Sequence, residues 1–78
     1  MTMNIGLLWY DADPKRALPD KVQAAVEHYR AKFGAAPTEC HVHPSALAHA
    51  PGQVGGVRLR GDKYVMVNHF WLGVASDT

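Results

Sequence analysis

The first apolar run of the chain suits the two-residue period of a strand. In Asn4–Tyr10, NIGLLWY, Ile5, Leu7 and Trp9 fall on one face of an extended segment and Leu8 and Tyr10 on the other. Both faces are apolar, the pattern of a central strand covered on both sides. Asp11, Asp13 and Pro14 are turn formers and end it. Then the period changes. Val22, Ala25, Val26, Tyr29 and Phe33 recur at helical spacing and make one apolar stripe, with Lys21, Glu27, Arg30 and Lys32 around the rest. Pro19 suits the first helical position, and Asp20 suits the positive end of the helix dipole. Gly34 is a good residue just past the C-terminus, and Pro37 prevents continuation. The spacing predicts a helix over about residues 19–33.

Alternation returns at Thr38–His43, a second strand, so that strand, helix and strand form a crossover unit. Pro44–Gly56 is rich in Pro, Gly and Ala and reads as a loop with one short helical turn at Ser45–His49. Val57–Arg60 and Tyr64–Leu72 read as two further strands, joined by a tight hairpin at Gly61–Asp62. The fold class expected is α/β (α+β): β-α-β-β-β, one domain over residues 1–78, a four-stranded mixed sheet with one helix packed on one face. Val22, Val26, Tyr29 and Phe33 are the helix residues expected to bury against the sheet. One helix leaves the other face bare. Tyr10, Phe70, Trp71 and Leu72 are the residues expected on an oligomer interface there, with a second copy of the chain as the simplest partner.

Composition narrows the class of function. The chain has 78 residues, 47% of them hydrophobic, which suits a folded domain rather than a disordered one. Eight basic and seven acidic residues give a net charge of +1, which argues against a large electrostatic footprint on nucleic acid or lipid. The opening MTMNIGLLWYD lacks a basic leader region, and no apolar stretch has the length of a membrane span. Cys40 is the only cysteine, so no disulfide framework is available. A cytoplasmic protein, not a membrane one, is expected.

The densest chemistry is TECHVHPS, Thr38–Ser45. On a strand His41 and His43 point the same way, and His69 on the last strand is the third residue of a zinc site of that kind. Glu39 shares their face as an acid–base group or ligand, whereas Cys40 points with Thr38 and Val42 toward the core. The simpler alternative has no cofactor: Glu39, His41 and His43 are the polar outward residues of an alternating strand. A second group, Arg58, Arg60 and Lys63, clusters near the expected hairpin tip and suits phosphate contacts to nucleic acid. Its counterpart reading is a solvated strand face whose charges prevent aggregation. No Gly-rich phosphate loop, CxxC pair or nucleophile elbow is present.

The motif Tyr29-x3-Phe33-Gly34, then Pro37-x2-Cys40-x-Val42-His43-Pro44, then His69-Phe70-Trp71-x-Gly73-Val74, resembles that of small uncharacterised bacterial proteins. The resemblance implies a prokaryotic cytoplasmic protein and carries over no catalytic residue. The expectation for function is a non-enzymatic interaction or accessory protein acting as a homodimer. The alternatives are a small zinc-dependent hydrolase using His41, His43 and His69, and a nucleic-acid-binding module using Arg58, Arg60 and Lys63.

Overall fold

The computed structural model describes residues 6–48, 50 and 52–75. Expectations for Asn4, Ile5 and His49 lie outside the described residues. The elements are β1 (Gly6–Tyr10), α1 (Leu18–Phe33), β2 (Glu39–Val42), a 3-10 turn (Pro44–Leu47), β3 (Gln53–Val54), β4 (Val57–Gly61) and β5 (His69–Gly73). They form one helix on a five-stranded sheet of order β1-β5-β2-β4-β3. No helix among the described residues is long and apolar enough to cross a membrane.

The helix forms where its local signals lie. Proline stands in its first turn beside Asp20, and Arg30 and Lys32 lie in its last turn, matching the helix dipole at both ends. Gly34 adopts a left-handed φ of 76°, and its N–H donates to the Arg30 carbonyl at 2.8 Å. Val22, Ala25 and Tyr29 bury against the sheet, with Leu18 and Val26 packed beside them. Phe33 departs from expectation at 37% exposure. It is the last helical residue, and Gly34, Ala35 and Ala36 are themselves exposed, so nothing folds over it. Its ring lies against Tyr29 with centroids 4.5 Å apart.

The sheet order corrects the expected pairing. β1 and β2 are both antiparallel to β5, so they are parallel to each other with β5 inserted between them. Likewise β4 and β5 do not form a hairpin; β2 separates them, parallel to β4 and antiparallel to β5. Residues 62–68 connect the two strands instead. Asp62 turns the chain by accepting the Tyr64 N–H on its side chain at 2.9 Å and the Val65 N–H on its carbonyl at 3.0 Å. Asn68 has a φ of 67°, which no strand residue adopts, so the apolar run from Tyr64 becomes a strand only at His69. The fifth strand, β3, lies in the stretch expected to be loop. It pairs with β4 through Gly55 and Gly56, whose φ values of 53° and 84° suit a primed hairpin turn.

Register stacks the core in rows. Leu7, Leu72, Cys40 and Leu59 are successive cross-strand partners, as are Trp9, Phe70, Val42 and Gly61 one step along. Both rows face the helix. At Gly61 an added Cβ would lie 3.2 Å from Leu47 and 3.6 Å from Pro44, so the 3-10 turn seats against that bare backbone. β1 is an edge strand, not a central one, although both of its faces are apolar.

Candidate functional site

The intervening rows point away from the helix. Leu8, Trp71, His41 and Arg60 are successive partners across the sheet, and Gly73, Glu39, Arg58 and Gln53 form the neighbouring row. This open face has an apolar half on β1 and β5 and a charged half on β2, β4 and β3.

Glu39 organises the charged half. It is 4% exposed although, among the described residues, no helix covers its face. Its Oε2 accepts from Arg60 Nε at 2.7 Å, and its Oε1 lies 3.1 Å from His41 Nε2. His41 Nδ1 in turn lies 3.5 Å from Asp62 Oδ2. Arg60, Glu39, His41 and Asp62 therefore form one chain of alternating charge-bearing groups. Burial pushes the Glu39 carboxyl upward. The hydrogen bonds from Arg60 and His41, with their charge, outweigh it and hold the group below its ordinary value of 4.5. Sequence alternation places Glu39 and His41 outward, but their contacts with Arg60 and Asp62 depend on parallel pairing of β2 with β4. A β4–β5 hairpin would not bring Arg60 to β2.

The three histidines do not converge as a metal site requires. Among the described residues no group of three or more His, Cys, Asp or Glu side chains could hold a metal ion. β2 ends at Val42, so His43 leaves the strand and caps the 3-10 turn, where its Nδ1 accepts the Ser45 N–H at 3.2 Å and lies 2.8 Å from Ser45 Oγ. His69 lies one position beyond the last β2–β5 pair, Val42 with Phe70. It stacks on Tyr10 at 4.9 Å, and its Nδ1 donates to the Val67 carbonyl at 3.0 Å. His43 and His69 share the wall of a cleft of about 260 Å³ at that end of the sheet, from which His41 is absent. Burial pushes the Cys40 thiol up to about 12, which keeps it neutral and unsuited to metal or nucleophilic chemistry.

The basic group divides. Arg58 and Arg60 share the open face beside Glu39 and line a groove of about 650 Å³ with Thr38, Gln53 and Val74. Lys63 sits apart in the loop, its ammonium 5.4 Å from the Tyr64 ring centre.

The expected interface set also divides. Phe70 and Leu72 are 3% and 0% exposed and belong to the core, because consecutive strand residues face opposite ways. Trp71 and Tyr10 lie on the open face. Trp71 lies close over Gly6, where an added Cβ would come 2.7 Å from the indole and 2.6 Å from the Leu72 carbonyl. A shallow depression of about 380 Å³ beside it is lined by Leu8, Asp62, Tyr64, Met66, His69 and Trp71. Comparison with protein-family models, curated proteins and solved structures finds no match to this chain.

Proposed function

We propose that this chain is a small cytoplasmic, non-enzymatic interaction protein that works as a homodimer, two copies meeting along β1 and the apolar half of the open face. The observation that supports this is a conflict at β1. Its residues, GLLWY, have the pattern of a strand paired and covered on all sides, yet β1 stands at the sheet edge with Leu8 59% and Tyr10 61% exposed. Edge strands of monomers are ordinarily blunted by charge, proline or brevity. β1 has neither charge nor proline, whereas β3 at the opposite edge is only two residues long. Antiparallel pairing of β1 with its copy about a two-fold axis satisfies the free backbone edge and brings together the Leu8, Tyr10 and Trp71 surfaces of both copies. A single buried thiol suits a reducing compartment.

Light scattering on a dilution series tests this. The expected mass is twice the 8.5 kDa of one chain, falling to one chain on dilution. Leu8→Glu places a charge on each side of the pairing axis and should give a folded monomer at every concentration. Wild-type protein that stays monomeric at high micromolar concentration would sink the idea.

A further inference from the structure

The groove over β2, β4 and β3 has features that the dimer does not use. The Glu39 side chain, 5% exposed, engages Arg60 through Nε alone. Among the described residues neither terminal nitrogen of Arg60 has an acceptor, and Arg58 forms no ion pair. The guanidinium is thus held at Nε, its side chain 39% exposed and its two terminal nitrogens without an acceptor among the described residues. Arg58 stands two positions earlier on the same face of β4, between Glu39 and Gln53 in the register. Thr38 Oγ1 accepts the Ala75 N–H at 2.8 Å, which leaves the hydroxyl hydrogen to donate. Among the described residues lining the groove, two guanidinium groups stand against one carboxylate, a balance of one positive charge.

We infer that this groove binds a small oxyanion-bearing ligand, a phosphate or a carboxylate, clamped by Arg58 and Arg60. Glu39 is the positioning residue. A planar guanidinium with a fixed Nε meets such groups through two parallel hydrogen bonds, which an ammonium cannot do. Gln53 and Thr38 supply neutral donors at the rim. The 2.7 Å contact from Nε to the buried carboxylate is what fixes the guanidinium in place.

Nitrogen-edited NMR titration of the full chain tests the proposal, including the arginine Nε signals. Sodium phosphate and sodium succinate serve as separate probes, with sodium chloride at equal ionic strength as control. The expected result is saturable shifts at Thr38, Gln53, Arg58 and Arg60 with one of the two anions; which one identifies the ligand group. Arg58→Ala removes no side-chain hydrogen bond or ion pair among the described residues and keeps the Arg60–Glu39 pair, so the variant should fold, and it should weaken binding at least about tenfold. Arg60→Lys keeps the charge without the fork and should weaken it comparably. Glu39→Gln separates positioning from attraction: it adds one unit of positive charge, so simple attraction gives tighter binding, whereas loss of positioning gives weaker binding, the result expected. Shifts identical to those with chloride, or unchanged in Arg58→Ala, would overturn the site, and tighter binding by Glu39→Gln would overturn the role of Glu39. A single-stranded oligonucleotide that binds with steep salt dependence while free phosphate does not would replace the small anion with nucleic acid.

Discussion

Two neighbouring rows of the sheet run one residue apart along the same strands. Leu7, Leu72, Cys40 and Leu59 make one, and Leu8, Trp71, His41 and Arg60 the other. The first faces the helix and belongs to or packs on the core throughout. The second begins with an exposed leucine and passes through an indole and an imidazole to a guanidinium. Backbone and register are common to both rows; the difference is which side of the pleat each occupies. One row serves cohesion. The other grades from apolar to charged across four strands, which gives one surface two chemical characters.

Substitutions in the two rows should differ accordingly. The largest effect is expected from Leu72→Ala, which removes a fully buried side chain beneath the helix. It should cost about 2–5 kcal/mol in urea unfolding. A cost below about 1 kcal/mol would mean that the core closes over the gap.

Next is Glu39→Gln. The Glu39 carboxyl is held below its ordinary 4.5, so its contribution is present above that value and lost as pH falls through the folded-state value. Unfolding midpoints near pH 6 and pH 3 should therefore differ less in Glu39→Gln than in the wild type, with a loss at pH 6 of about 1–3 kcal/mol. An unchanged pH dependence would remove Glu39 from the network. Gly6→Ala should follow at about 1–2 kcal/mol, because the new methyl must displace both the Trp71 indole and the Leu72 carbonyl. Tryptophan fluorescence should shift with it. Smallest for the monomer is Leu8→Glu, within about 0.5 kcal/mol, as expected for an exposed side chain.

The legible parts of the molecule were local. The helix is bounded by Pro19 and Gly34 and carries its stripe between them, so its limits, Leu18 and Phe33, lie within a residue of those expected. The alternation of β2 assigns Cys40 and Val42 inward and Glu39 and His41 outward, as observed. Strand order was not legible, since alternation defines faces and not neighbours. That hid the Arg60–Glu39 pair, whose members stand far apart in sequence and meet only when β2 pairs with β4. The run Tyr64–Leu72 misled because apolar content looks the same in a strand and in an exposed loop; Tyr64, Met66 and Val67 are exposed. His43 keeps extended dihedrals, as a residue before proline does, but Pro44 starts the 3-10 turn and the imidazole caps that turn instead of standing on the sheet face. The Gly55–Gly56 pair was a hairpin signal inside a stretch whose composition otherwise reads as loop.

Cys40 lies at the centre of the inward row, completely covered, and is the only thiol in the chain. It therefore acts as an internal clock. An alkylating reagent cannot reach it while the sheet is closed, and burial keeps the sulfur neutral there. Each labelled molecule in a mass spectrum records one excursion in which the sheet parted from the helix. Counting labelled molecules over time reports the open population of the fold with no added probe, and its opening frequency once the reagent is concentrated enough to outpace reclosing; one cysteine per chain leaves no ambiguity about where the mass was gained.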